Sequence, residues 1–192
     1  CLNLQYNIND IQEVKRVPYH DEIKWIVGNK KRNNFIVNLC CKIEGNILLL
    51  FNYVDSHGIP LYENIKNTCV DKNVFLIHGG TEIEQREKIR RIVNEEENAI
   101  LVASYGTCST GINIKNIHNV IFSSPSKSVV RVLQSLGRGL RKSKTKDSVK
   151  LYDISDNLQH KKYINHTMRH FADRIKIYTK EKFSFKIIKI RI

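Results

Sequence analysis

No glycine in this 192-residue chain is followed by lysine. That excludes G-x-x-x-x-G-K-[ST], the loop with which nucleotide hydrolases cradle phosphates on backbone amides. No D-E-x-[DH] group stands at a strand end to hold magnesium either; Glu95, Glu96 and Glu97 read as a charged helix end. Cysteine is sparse and spaced wrongly for metal. Cys1, Cys40, Cys41, Cys69 and Cys108 form no C-x-x-C pair and no zinc spacing with the seven histidines. They read as small apolar residues in a reducing compartment, and no metal site is expected. No Ser-His-Asp or Cys-His grouping points to nucleophilic catalysis. No apolar run approaches the roughly 20 residues that span a bilayer, and the amino end has no signal-peptide pattern. A cytoplasmic protein with no membrane partner is therefore expected. Residue 1 is Cys and not Met, so the chain is expected to start inside a longer protein or after processing.

Acidic residues are scarce too. Nineteen Asp and Glu stand against thirty-two Lys and Arg, giving a net charge of +13 and a pI near 9.6. Such an excess points to an anionic partner, nucleic acid first. It concentrates toward the end: from His160 to Ile192 there are ten Lys or Arg against Asp173 and Glu181. The length suits one good core and is short for two.

What is present is an alternation of strands and helices. After an extended piece at Leu2 to Tyr6, two helix-like segments flank Gly28, and the second, Lys30 to Ile43, carries Phe35, Leu39 and Ile43 and stops before Gly45. NILLLFNY, Asn46 to Tyr53, is a continuous apolar run of the kind buried on both faces of a parallel sheet. Leu61, Ile65 and Cys69 mark a helix, and Val74 to His78 a strand. Thr81 and Glu84 have capping-box spacing for a helix carrying Ile89, Ile92 and Val93. Ala99 to Ser104, Asn119 to Ser123 and Val149 to Ile154 supply further strands, with Ser126 placed to cap a helix between the last two. The fold class is α/β: an open parallel sheet with helices on both faces, whose ligands sit at the carboxyl ends of the strands. Tyr163, Phe171, Ile175 and Tyr178 then fall on a helical stripe, and Phe183 to Ile192 alternates like an edge strand, making a basic helix and strand tail. Trp25 reads as packing material, and His78 before Gly79-Gly80 as a structural histidine.

One stretch resists a purely structural account: QSLGRGLRK, Gln134 to Lys142. On a helix, Val129, Leu133, Leu136 and Leu140 share one stripe, while Lys127, Arg131, Gln134, Arg138 and Arg141 share the opposite one. Gly137 and Gly139 each cost about 1 kcal/mol relative to Ala inside a helix. They make sense where the backbone must approach something closely, such as a phosphate chain or a facing domain. Arg138 and Arg141, three apart, project side by side and can grip one polyanionic group together.

QSLGRGLR, Gln134 to Arg141, matches the Q-x-x-G-R-x-x-R signature, motif VI, of the superfamily-two helicases. ASYGTCSTGINIKNI, Ala103 to Ile117, resembles their motif V in sequence and distance, and the strand and helix from Ile47 to Ile65 lie where motif IV belongs. Three matches in order on a parallel α/β pattern identify the chain as resembling the second, RecA-like motor domain of that superfamily. ASYGTCSTGINIKNIHNVIF and the closing DRIKIYTKEKFSF are similar, more narrowly, to the recombination helicases of T-even phages and their relatives. The resemblance is firmest from Ala99 to Arg141 and weaker before Gly45.

This resemblance implies ATP-driven remodelling of branched DNA and unwinding of RNA:DNA hybrids. It implies that Arg138 and Arg141 reach across a cleft to the γ-phosphate of ATP, with Gln134 ordering the same face. Gly111, Asn113 and Gly137 would lie near the nucleotide, and Ser109 and Thr110 near the nucleic-acid backbone, with Lys127 as a further candidate. ATP and Mg²⁺ would be bound mainly by an amino-terminal motor domain of the same polypeptide, so that this half should be inactive alone. Asn113 in place of Asp, and Ser135 in place of Arg, point away from the DEAD-box branch. The division that follows is a joining strand and helices at 1–45, a RecA-like domain at 46–156 and a basic appendage at 157–192. Within the appendage Lys161 and Lys162, with Arg169, Arg174 and Lys176, either extend the nucleic-acid track or form a solvated face. Two alternatives stay open: a noncatalytic nucleic-acid-binding module of RecA-like shape, and another superfamily-two translocase or RNA helicase.

Overall fold

The computed structural model describes residues 1–109, 114–124 and 149–192. Its organising strand is the one the apolar run predicts: β2 (Ile47–Phe51) is buried at all positions. Five such side chains in sequence leave no solvent face, so the strand is stable only with cover on both sides. β1 (Leu2–Gln5), β3 (Val74–Ile77), β4 (Ile100–Ser104), β5 (Asn119–Phe122), β6 (Lys150–Asn157) and β7 (Ile188–Arg191) join it. Among the described residues they form a seven-stranded sheet in the order β3-β4-β2-β5-β6-β1-β7. Each pairing is parallel; Leu49 stands beside Val102 on one side and Ile121 on the other.

The period-two alternation of β2 divides the core. Ile47, Leu49 and Phe51 pack with Ile36, Val37 and Cys40 of α3 (Lys30–Lys42) and with Leu61 and Ile65 of α4 (Ile59–Thr68). Leu48 and Leu50 pack on the other face with Ile89 and Val93 of α5 (Ile83–Glu95) and Tyr105 and Cys108 of α6 (Tyr105–Ser109). Fully burying each such Leu, Ile or Phe contributes about 1.5–3 kcal/mol relative to leaving it exposed. α1 (Ile8–Glu13) and α2 (Tyr19–Gly28) extend the first face, and α7 (His166–Lys180) lies against β6. A single π-helical turn, Val54–Gly58, joins β2 to α4. Gly58 is required there, because a Cβ would lie 2.4 Å from the Phe51 ring.

Several local expectations change. Thr81 does not cap α5: its Oγ1 accepts from the His78 amide at 3.0 Å and closes the turn after β3, and among the described residues no side chain caps that helix. His78 is structural, its Nδ1 accepting from the Gly80 amide at 3.2 Å. Trp25 packs as expected, edge-on to Tyr6, with its Nε1–H donating to Glu13 Oε2 at 2.7 Å. The cysteines are corrected most. Cys41 on α3 and Cys69 at the end of α4 form a disulfide, with Cα atoms 5.1 Å apart and 28 residues of separation. Spacing rules for local pairs could not find it, because the packing of two helices brings the pair together.

Candidate functional site

The carboxyl ends of β2, β4 and β5 converge on two serines. β5 runs directly into Ser123 and Ser124, both buried. Ser123 Oγ donates to the Leu50 carbonyl at 2.8 Å, and the Ser123 carbonyl accepts from Arg32 Nη2 at 2.7 Å. Ser124 Oγ accepts from the Asn52 amide at 3.1 Å and lies 3.0 Å from His57 Nδ1, while Tyr105 Oη donates to its carbonyl at 3.3 Å. Four neighbouring elements thus hold the chain immediately before residue 125. His57, on the π-helical turn, is fully buried, and burial followed by the charge of Arg32 lowers its pKa to about 3. It is a neutral imidazole at physiological pH.

Arg32 reaches this region from α3. It is fully buried and binds Asp156 through Nε at 2.7 Å and Nη2 at 3.2 Å, with Tyr6 Oη donating to the same carboxylate at 2.7 Å. Burial works most strongly against the guanidinium charge, but the Asp156 carboxylate and its hydrogen bond, with Tyr6 and Tyr105, together raise the Arg32 pKa. A second pair lies further along: Arg174 on α7 holds Asp153 through two contacts of 2.8 Å, and Tyr178 Oη donates to Asp153 at 2.8 Å. Here too burial opposes and Asp153 raises the Arg174 pKa.

These pairs settle two questions. Arg174 cannot serve a basic track, because it is 2% exposed and committed to Asp153; its place on the stripe Thr167, Phe171, Arg174, Tyr178 points it inward. Nor do the β6 carboxylates suit magnesium, since an arginine neutralises each. Among the described residues no group of three His, Cys, Asp or Glu is placed to hold a metal ion. The described residues therefore offer no ready carboxylate set for Mg²⁺ here. Cys40 and Cys108 are buried thiols pushed up to about 12 by burial, with Lys72 pulling the other way at Cys40, and are inert as nucleophiles.

Among the residues singled out from sequence, Thr110, Gly111, Asn113, Lys127, Gln134, Gly137, Arg138 and Arg141 lie outside the described residues. Ser109 ends α6 at the carboxyl side of β4, and Lys161 and Lys162 are exposed beyond the end of β6. Missed from sequence were Arg32, His57, Ser124, Asp153 and Asp156. A signal existed for Arg32, which sits on the buried stripe of α3 with Ile36, Val37 and Cys40.

With β4 and α6, β5 and its serines, and the buried α3 arginine in place, the match to known proteins covers this same ground: residues 30–143 match the helicase conserved C-terminal domain. The chain belongs to that family. The ATP-dependent DNA helicase uvsW of Enterobacteria phage T4 is 35% identical over 195 residues, covering 95% of this chain and 38% of that protein. The crystal structure of T4 UvsW superposes with a TM-score of 0.86 at 33% identity, over 99% of this chain and 40% of that one. This helicase C-terminal domain thus spans about two fifths of the length of those relatives. The C-terminal domain of the DEAD-box protein Dbp5 shares the fold at 12% identity, with a TM-score of 0.57 over 86% of each chain. The C-terminal part of the Fun30 ATPase domain does so at 16% identity and 0.54, over 78% of this chain and 54% of that one. The parallel RecA-like α/β fold follows from both the sheet and these matches. Among the described residues no helix is long and apolar enough to cross a membrane.

Proposed function

We propose that this chain is the second motor domain of an ATP-dependent DNA helicase that remodels branched DNA and unwinds RNA:DNA hybrids. The observation that carries the proposal is similarity to T4 UvsW across nearly the whole chain, joined to the Q-x-x-G-R-x-x-R sequence at Gln134 to Arg141. In this reading Arg138 and Arg141 are the catalytic arginines that neutralise charge developing on a transferred phosphoryl, and Gln134 orders their face. Gly111, Asn113 and Gly137 lie beside the nucleotide, and Ser109, Thr110, Lys127, Lys161 and Lys162 meet nucleic-acid phosphates. ATP and Mg²⁺ supply the hydrolysable bond and its counter-charge, and are bound mainly by an amino-terminal RecA-like domain of the same polypeptide. The division into 1–45, 46–156 and 157–192 belongs to the same proposal, although one sheet carries strands from all three parts.

The test uses a polypeptide in which this chain is joined to a first motor domain bearing a phosphate loop. Arg138→Ala and Arg141→Ala should each lower DNA-stimulated ATP turnover by a factor on the order of 10³, with nucleic-acid binding largely kept. Unchanged turnover and unwinding would overturn the catalytic role of these arginines, and a joined polypeptide that binds DNA without turnover or unwinding would leave a noncatalytic nucleic-acid-binding module. Turnover lost with RNA and kept with branched DNA, or the reverse, decides between a DNA and an RNA helicase.

A further inference from the structure

β1 and β6 are adjacent parallel strands whose ends are in register, Gln5 beside Asn157, with Asn157 Nδ2 donating to Gln5 Oε1 at 2.8 Å. The chain leaves both strands at one rim of the sheet. After β1 it makes α1, buries Val14 in the core and then exposes Lys15 and Arg16. After β6 it buries Leu158 in the same core cluster and then turns outward through His160, Lys161 and Lys162. Two segments more than 140 residues apart in sequence thus leave the same rim of the sheet, each carrying exposed basic residues. The charges acting on His160 agree: after partial desolvation, Lys15, Lys161 and Arg16 in turn lower its pKa.

The backbone is shaped to hold these side chains out. His160 and Tyr163 exchange amide hydrogen bonds of 3.1 and 2.9 Å, closing a tight turn with Lys161 and Lys162 at its tip. Arg169 stacks over the Tyr163 ring at 5.9 Å and adds a charge at its base. Among the described residues only three non-glycine residues have positive φ, and two are here: Arg16 at 58° and Lys161 at 52°. A left-handed lysine or arginine is strained where glycine would not be, so the charge is kept at a cost in backbone energy. None of Lys15, Arg16, Lys161 and Lys162 is in an ion pair among the described residues.

We infer that Lys15, Arg16, His160 and Lys161, with Lys162 beside them, form one composite clamp for the sugar-phosphate backbone of a nucleic acid, made jointly by the turns after β1 and β6. The inference rests on the nucleic-acid reading above and adds Lys15, Arg16 and His160 to it. Contacts of this kind carry no base preference and depend steeply on salt.

The test measures binding of the 192-residue chain to a fluorescein-labelled forked DNA duplex by anisotropy across a KCl series. The triple variant Lys15→Gln/Arg16→Gly/Lys161→Gly removes three charges while giving glycine the left-handed positions. It should melt at or above the wild-type temperature and bind at least about tenfold more weakly, with a log K against log salt slope shallower by about 2 to 3. A control, Lys88→Gln/Arg91→Gln, removes two exposed charges from α5, which follows β3 at the opposite edge of the sheet, and should bind like wild type. Wild-type affinity and slope in the triple variant overturn the clamp and leave the nucleic-acid reading standing. Equal losses in triple variant and control also overturn it, in favour of diffuse charge. A wild-type chain that binds no DNA overturns the nucleic-acid reading itself. Competition by poly-glutamate as strong as by unlabelled DNA overturns it for an acidic protein surface.

Discussion

Burial at the residue scale gives His57 a consequence that can be measured. Its imidazole is held neutral, with a pKa near 3 when folded against an ordinary 6.5. Between those values the unfolded chain binds the extra proton, so stability rises with pH through that window and is lost as pH falls from about 6.5 toward 3. At pH 4.5 the loss relative to pH 7 should be about 2.5 kcal/mol from this group alone. His57→Asn keeps a polar atom for Ser124 and removes the titration. Urea unfolding at the two pH values should show the variant less sensitive to acid by that amount, and equal sensitivity would dismiss His57 as the cause. Neither this residue nor Arg32 was picked out as important from sequence. Burial of a polar side chain is set by what packs over it, and only Arg32's place on an apolar stripe hinted at its role. Arg174 was mistaken for a surface charge for the same reason: ten basic residues after His160 look alike until one of them meets Asp153.

The elements show the same division between local and distant causes. α3 starts where its sequence says, with Asn29 Oδ1 accepting from the Arg32 amide at 3.0 Å. α7 is different. Its first amides, on His166 and Thr167, are satisfied by the Glu22 carboxylate at 2.9 and 2.8 Å, and that residue belongs to α2. An acid placed there also suits the positive end of the helix dipole. The α3 to α4 disulfide is likewise a tertiary product. Closing 28 residues of chain stabilises the fold by about 3 to 4 kcal/mol in the chain-entropy picture. Dithiothreitol, or Cys41→Ser/Cys69→Ser, should therefore lower the unfolding free energy by that order in urea titrations. A reductant-independent midpoint would show that the cross-link contributes nothing.

For the whole molecule, the proposal of a half motor predicts that the purified 192-residue chain hydrolyses no ATP above background, with or without DNA. It has no Gly-Lys pair from which to build a phosphate loop, and its β6 carboxylates are held by arginines. Turnover by the chain alone would refute the assignment. By itself the amino-acid sequence determined the α/β alternation, the all-apolar strand buried on both faces, the basic excess and the arginine-bearing motif, because each is a local pattern of residue type and period. The tertiary structure alone decided that β1 lies between β6 and β7, that Asp153 and Asp156 take buried arginines, and that Cys41 meets Cys69. Those are contacts between residues distant in sequence, and their energies depend on burial and distance, which no local pattern carries.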